Sequence, residues 1–213
     1  MKRLVTFGCS LTYGSKLENP NDAWPNQLAT KWNLGLNNMA CPGTSTKRIW
    51  WEIINFDFKK TDTVVVLWTH MDRWCILKDT PKRGIDATGH HEEWDIPNKI
   101  VMYPGYLHSK DEMMLKKQEA YYKYIHDNFD MLTQYLCYIN HAHNYLKNKV
   151  SKQYHARASE IDKTLDFNRV DFLPIDFDEI RTKHPKATDN QHPGKEAYAE
   201  FVNKVDKLVG STL

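Results

Sequence analysis

The sequence predicts an α/β fold in which helices cover a parallel sheet. Short apolar segments typical of buried strands alternate with amphipathic segments typical of helices over residues 4–68. The segment Thr63–Trp68 is β-branched and apolar throughout, as expected for a strand covered on both faces. Because strand–helix–strand connections are right-handed crossovers, we expect the strands of this βαβαβ unit to be parallel.

The first half of the chain predicts three strands and two helices. The first helix has Trp24, Leu28 and Trp32 on one face, with Pro25 tolerated in its first turn and Asn21 or Asp22 able to cap it. A small-residue loop at residues 41–45 leads into the second helix. In order, the predicted elements are a strand at 4–7, a helix at 21–32, a weak strand at 34–40, a helix at 45–55 and a strand at 63–68.

The second half of the chain is less regular. Residues 75–109 contain scattered prolines and glycines and predict a long loop insertion, of the kind that covers or shapes a site. Residues 111–146 predict one long helix, or two joined near Asn128, and residues 150–168 show no clear strand although this type of sheet requires a fourth. The remaining elements are a strand at 170–175, a helical turn at 177–182 and a final amphipathic helix at 194–208. We therefore expect residues 1–213 to form a single domain.

Composition argues against several classes of partner. The net charge is only +2 and no run of five or more basic residues occurs, so we expect no nucleic acid partner. The four cysteines are widely spaced and predict free thiols, with neither a zinc site nor a disulfide framework. The apolar segment before Cys9 is shorter than a signal peptide needs, and no stretch approaches the ~18 apolar residues of a membrane span. These features predict a cytoplasmic protein with no membrane association; the oligomeric state is left open.

The first candidate catalytic residue is Ser10, within the stretch Phe-Gly-Cys-Ser-Leu-Thr-Tyr-Gly at residues 7–14. It follows the first predicted strand, and open α/β sheets bind ligands at the carboxyl ends of their strands. The alternative is an ordinary turn in which Gly8 and Ser10 serve the backbone alone. Because a serine hydroxyl is a weak nucleophile, the catalytic interpretation requires a base elsewhere in the chain.

Asp189 and His192 are the candidate partners of that serine. A histidine can accept the hydroxyl proton, and a carboxylate can fix its tautomer and stabilise the imidazolium that forms. Both lie in one short loop before the last predicted helix, so a single loop can supply both groups if it packs beside the first strand. The alternative is that Asp189 or Asn190 caps this helix and that His192 and Pro193 simply begin it.

These motifs resemble those of the SGNH (GDSL-type) hydrolases. The first block of that family, usually Gly-Asp-Ser-Leu with a glycine nearby, is similar to residues 8–14. The final block, Asp-x-x-His-Pro, is matched by Asp189, His192 and Pro193, and the single glycine of the second block is similar to Gly43. The blocks follow the family's order from one end of the chain to the other.

The resemblance implies a three-layer α/β/α sandwich with a flavodoxin-like parallel sheet of about five strands. It implies a serine esterase or deacetylase that cleaves small-molecule or glycan acyl esters through an acyl-Ser10 intermediate, without cofactor or metal. His192 would be the base and then the acid, and Asp189 the orienting carboxylate. The backbone N–H groups of Ser10 and Gly43 would form the oxyanion hole, where one donor is commonly worth about 3–4 kcal/mol.

The sequence departs from the family pattern at two places. Cys9 replaces the usual aspartate, a change we expect to be tolerated. The third block, Gly-x-Asn-Asp, appears as Trp-Thr-His-Met at residues 68–71, so His70 stands where the family has an asparagine donor. The Nε2–H of His70, or Thr69, could complete the oxyanion hole, or the hole could have two donors only. This departure keeps two alternatives open: a catalytically impaired SGNH-like binding domain, and an acyltransferase that uses the same triad.

Three further features have competing interpretations. Cys9 could itself be the nucleophile, although the family places a serine at the next position. Aromatic residues of the predicted loop could line a sugar- or acyl-binding cleft, or belong to the core. The histidine-rich segments are more simply surface or polar-core residues than metal ligands. The aromatic residues in question are Trp94, Tyr103 and Tyr106, and the histidine-rich segments contain His90, His91, Glu92 and Glu93, and His141 and His143.

Overall fold

Five parallel strands form the central sheet of the computed structural model, which describes residues 2–77, 99–102, 112–159 and 170–212. The described residues also contain two strands outside this sheet. In chain order, all of these strands are β1 (Arg3–Phe7), β2 (Gly35–Asn38), β3 (Thr63–Trp68), β4 (Trp74–Leu77), β5 (Lys99–Met102), β6 (Lys152–Arg157) and β7 (Phe172–Asp176). The order across the main sheet is β2-β1-β3-β6-β7, and β4 and β5 form a separate antiparallel pair. The strand order therefore reverses between β1 and β3, which is where open α/β sheets bind ligands.

Helices cover both faces of the main sheet. They are α1 (Ser10–Tyr13), α2 (Trp24–Lys31), α3 (Thr46–Asn55), α4 (Glu112–Tyr124), α5 (Asn128–Lys149), α6 (Phe177–Thr182) and α7 (Lys195–Val209). Val65 and Leu67 of β3 pack into a core shared with α2 and α7, whereas Val64, Val66 and Trp68 pack into a core shared with α3 and α5. The fold is thus the predicted three-layer α/β/α sandwich with a parallel sheet of five strands.

Most elements predicted from sequence are present, with two differences. The predicted helix at 21–32 begins only at Trp24, because residues 20–22 form a 3-10 turn capped by the side chain of Asn19. The predicted loop at 75–109 contains most of β4 and all of β5, and its residues 78–98 and 103–109 lie outside the described residues. Of the two arrangements predicted for residues 111–146, the structure has two helices, the first ending at Tyr124 and the second beginning at Asn128.

The fourth strand lies in a region that showed no clear strand in the sequence. It is β6, which pairs with β3 along its whole length and with β7 on its other side. None of the helices in the described ranges combines the length and the apolar character that a membrane span requires.

Candidate active site

Ser10 lies at the carboxyl edge of the sheet, where β1 turns directly into α1. It is the first residue of α1, and Cys9 occupies the N-cap position with an extended backbone. Gly8 allows this sharp turn, because a Cβ at that position would lie 1.9 Å from Thr12 Oγ1 and 3.0 Å from the carbonyl oxygen of Leu67 in β3. Any side chain at position 8 would therefore displace the helix that contains Ser10.

Cys9 and Ser10 have different surroundings. Cys9 is fully buried and packs in the apolar core that includes Leu11, Trp24 and Tyr198. Ser10 is 8% exposed. Because Cys9 has no exposed surface and Ser10 has some, a substrate can reach Ser10 more readily, which favours Ser10 as the nucleophile.

Asp189 and His192 form a hydrogen-bonded pair within one tight loop. Nδ1 of His192 lies 2.6 Å from Oδ2 of Asp189, and Oδ1 of Asp189 accepts the backbone N–H groups of Gln191 and His192 at 3.0 and 2.9 Å. A carboxylate can only accept, so Nδ1 carries the proton and Nε2 of the neutral ring keeps its lone pair. The pair thus has the arrangement of a histidine base oriented by a carboxylate.

The same hydrogen bonds set the protonation state of Asp189. Burial alone would raise the pKa of its carboxyl group. The backbone and ring N–H groups of His192 and the N–H of Gln191 outweigh that effect and lower the pKa to about 2. Asp189 is therefore ionised at neutral pH, as an orienting carboxylate must be.

The His192 loop is linked to the segment that follows the Ser10 turn. Thr188 Oγ1 donates to the carbonyl oxygen of Lys16 at 3.3 Å, which joins two segments 172 residues apart. The pKa of Tyr198 on α7 is raised mainly by burial, and its neighbours Cys9 and Asp189 raise it further. Tyr198 therefore lies within electrostatic reach of both the Ser10 turn and the His192 loop.

Gly43 belongs to the loop that follows β2. This loop is fixed to the end of β1, because the N–H of Cys41 donates to the carbonyl oxygen of Gly8 at 3.1 Å. Asn38 strengthens the junction: its Oδ1 accepts from Thr6 Oγ1 at 3.0 Å and from the N–H of Ala40 at 3.1 Å. These contacts hold the loop containing Gly43 next to the turn containing Ser10.

His70 lies two residues beyond the end of β3, and its ring contacts an acid that the sequence did not single out. Nε2 of His70 is 2.9 Å from Oδ2 of Asp178, a residue of α6. The other oxygen of Asp178, Oδ1, forms an ion pair with Nε of Arg181 at 2.6 Å. Asp178 lies two residues after the end of β7, and an acidic residue that close to the carboxyl edge of the sheet was the signal that could have identified it.

The remaining candidate residues do not add to this site. His141 on α5 accepts from Nε1 of Trp50, and Nδ1 of His143 lies 3.4 Å from Nε2 of His155. Within the described ranges, no three His, Cys, Asp or Glu side chains are grouped so that they could bind a metal ion. The other candidates fall outside the described residues; they are His90, His91, Glu92, Glu93, Trp94, Tyr103 and Tyr106.

Comparisons with known proteins found the same fold in solved structures that are described as lipolytic proteins of the G-D-S-L family. The chain is similar to a member of that family from Veillonella parvula DSM 2008, at 12% identity over 100% of both chains with a TM-score of 0.52. It is also similar to a protein assigned to the same family from Desulfitobacterium hafniense DCB-2, at 10% identity over 97% of this chain and 98% of the other, with a TM-score of 0.51. No family model and no curated protein sequence matches the chain. At these identities the likeness establishes a shared fold, in agreement with the resemblance noted in the sequence.

Proposed function

We propose that this protein is a serine esterase or deacetylase that cleaves small acyl esters, including carbohydrate-linked ones, through an acyl-Ser10 intermediate. The observation that most supports the proposal is the 2.6 Å contact between His192 Nδ1 and Asp189 Oδ2, in a loop attached to the segment that follows Ser10. It is the hydrogen bond that a histidine base requires in order to act on a serine hydroxyl.

In the first half of the reaction, Nε2 of His192 accepts the proton of Ser10 Oγ as Oγ attacks the ester carbonyl carbon. The carbonyl oxygen becomes an oxyanion, and the carbon–oxygen bond to the alcohol portion then breaks. His192 returns its proton to the departing alkoxide, which leaves as a neutral alcohol. Ser10 is then acylated, and His192 is again neutral.

In the second half, water replaces the alcohol. Nε2 of His192 accepts one proton from the water, and the resulting hydroxide attacks the acyl carbon of acyl-Ser10. The bond between that carbon and Ser10 Oγ breaks, and Oγ regains a proton from His192. The carboxylic acid product leaves and the enzyme returns to its starting state.

The proposed oxyanion hole consists of the backbone N–H groups of Ser10 and Gly43. Ser10 is the first residue of α1, where backbone N–H groups have no partner within the helix. The loop containing Gly43 is fixed beside it through Cys41 and Asn38. His70 as a third donor remains a prediction, and its contact with Asp178 engages the Nε2–H that this role would use, which favours a hole with two donors.

The test is turnover of a short-chain aryl ester such as 4-nitrophenyl acetate. Ser10→Ala and His192→Ala should each lower kcat by at least about 10³-fold, since each removes a group that changes bonding in the reaction. Cys9→Ala is the matched control, because it alters the neighbouring buried side chain and should retain turnover. Unchanged turnover in Ser10→Ala, or its loss in a folded Cys9→Ala variant, would refute the assignment of Ser10.

Two other functions remain as competing candidates. A non-catalytic binding domain is favoured by the engagement of His70 with Asp178 at the position where the family has an asparagine donor. It predicts that the wild-type protein is folded but turns over no ester. An acyltransferase with the same triad predicts instead that added alcohols receive the acyl group from acyl-Ser10 in place of water, which product analysis would detect.

A further inference from the structure

His70 occupies a position from which it can contact a substrate of the proposed reaction. It follows β3, and Ser10 follows β1, its neighbour in the sheet, so both residues lie at the carboxyl edge where the strand order reverses. The side chain of His70 is 25% exposed, which is close to the 24% of His192. His70 is therefore accessible at the rim of the proposed active site.

Asp178 fixes the tautomer of the His70 ring. The backbone N–H of Asp178 donates to the carbonyl oxygen of Ala158 at 2.8 Å, so the end of β6 holds its main chain. Oδ1 of Asp178 forms an ion pair with Nε of Arg181 at 2.6 Å, while Oδ2 faces Nε2 of His70 at 2.9 Å. Because an ionised carboxylate only accepts hydrogen bonds, Nε2 carries the proton and Nδ1 of the neutral ring presents a lone pair.

Within the described ranges, no side chain is bonded to that lone pair. In the part of the chain that the structure describes, His70 makes one side-chain hydrogen bond, and it is the bond to Asp178 through Nε2. The negative charge of Asp178 is balanced by Arg181, so the site has no excess negative charge that would favour an ammonium group. A neutral hydrogen-bond donor, such as a hydroxyl group, is the ligand that suits this acceptor.

We propose that His70 is a specificity-determining residue whose Nδ1 accepts a hydrogen bond from a free hydroxyl group in the alcohol portion of the substrate. The inference rests on the proposed esterase function and narrows its substrates to esters of polyhydroxylated alcohols. Asp178 is the positioning residue that maintains the acceptor form of the ring. Water competes for a partly exposed acceptor, so we expect a preference of about 3- to 10-fold, the equivalent of one hydrogen bond.

Three acetate esters test this preference. 2-Hydroxyethyl acetate has the required hydroxyl group, propyl acetate has a methyl group in its place, and 2-methoxyethyl acetate retains the oxygen but has no proton to donate. The measured quantity is the ratio of kcat/KM between esters, each value divided by the alkaline hydrolysis rate of that ester. The wild-type protein should prefer 2-hydroxyethyl acetate over both analogues by about 3- to 10-fold.

Two variants separate His70 recognition from a general loss of activity. His70→Leu removes the acceptor, so the ratio should fall to about 1 whatever happens to the absolute rates. Asp178→Asn keeps the His70 ring but can donate an amide N–H to Nε2, which stabilises the opposite tautomer and turns Nδ1 into a donor. The preference should be lost in this variant as well.

The pair formed by His184 and Glu200 provides the matched control. Nε2 of His184 lies 2.6 Å from Oε2 of Glu200, and both side chains are about as exposed as those of His70 and Asp178. The pair joins the segment after α6 to α7. Glu200→Gln should therefore retain the wild-type ratio. A wild-type ratio of about 1, or a preference that persists in His70→Leu or Asp178→Asn, overturns the role of His70 while leaving the esterase proposal intact. Turnover that survives Ser10→Ala, or no turnover of any ester, refutes the proposed function itself.

Discussion

Nε1 of Trp68 in β3 donates a hydrogen bond of 3.1 Å to Nδ1 of His155 in β6, and the two rings are stacked with their planes 7° apart. Since Trp68 donates to Nδ1, the proton of the neutral His155 ring is on Nε2, which lies 2.9 Å from Oε1 of Gln153. Burial, followed by the charge of His143, lowers the pKa of His155 to about 3. Strand β6, which lies between β3 and β7, therefore contains a histidine that the fold keeps neutral.

This neutral histidine predicts a loss of stability in mild acid. An unfolded histidine has a pKa near 6.5, so between about pH 6.5 and 3 the unfolded chain binds more protons than the native protein. The contribution of His155 is complete above that window, and the free energy of unfolding should fall by up to about 1.4 kcal/mol per pH unit as the pH drops through it. His143, whose pKa is also lowered by burial, acts in the same direction.

Urea denaturation at a series of pH values from 8 to 4 measures this effect. In His155→Gln the amide oxygen can still accept from Trp68, but the group no longer titrates, so the slope against pH should become shallower. His141→Gln replaces an exposed histidine on α5 and is the control: its free energy of unfolding should keep the wild-type slope against pH. Identical slopes for His155→Gln and the wild-type protein would contradict this prediction.

The polar character of β6 also explains why the sequence did not predict this strand. A strand between two neighbours in a parallel sheet is expected to be apolar, but β6 has the sequence Lys-Gln-Tyr-His-Ala-Arg. Gln153 and His155 are tolerated because they bond to each other and because His155 also accepts from Trp68. Trp68 lies in another strand, 87 residues away in the chain, so no local pattern reveals this partner.

The pairing of Asp189 with His192 could be predicted from the sequence, because the two residues belong to one short local motif. Asp189 and His192 are three residues apart, so their spacing alone predicted a pairing that the geometry shows at 2.6 Å. The partner of His70 could not be predicted in this way, because Asp178 lies 108 residues away and the two meet only through the order of β3, β6 and β7.

Asp189→Asn should lower activity without unfolding the protein. An amide can donate to Nδ1 of His192 and so favour the tautomer whose Nε2 carries the proton and cannot act as a base. We expect kcat for 4-nitrophenyl acetate to fall by about 10²–10⁴-fold. Asp206→Asn is the control substitution. Asp206 is bound by Trp32 and Lys31 at the far end of α7, so its replacement should leave kcat unchanged. A kcat within threefold of wild type in Asp189→Asn would contradict the orienting role of Asp189.

Gly194→Ala should disturb the geometry of the His192 loop. The N–H of Gly194 donates to the carbonyl oxygen of Pro185 at 2.9 Å and closes the base of this loop. A Cβ at position 194 would lie 2.6 Å from that same oxygen, so the base must open. We expect about 1–3 kcal/mol of destabilisation by urea denaturation, with a fall in kcat of at least about 10-fold.

Gly210→Ala is the matched control for this change. Its added Cβ would lie 2.5 Å from Oδ1 of Asp206, so the clash falls at the far end of α7 and leaves the His192 loop untouched. Any loss of stability should therefore come without a loss of kcat, which should stay close to wild type. Equal effects of the two glycine substitutions on kcat would show that the closure of the loop base is not important for His192.

The most direct test of the central claim is covalent labelling of the folded wild-type protein with a fluorophosphonate probe, followed by mass spectrometry of its tryptic peptides. The account predicts one adduct, on peptide 4–16, at Ser10 and not at Ser15, as fragment ions of this peptide will show. Labelling should be absent in Ser10→Ala and strongly slowed in His192→Ala. A folded wild-type protein that remains unlabelled, or that is labelled at a residue other than Ser10, would contradict the account.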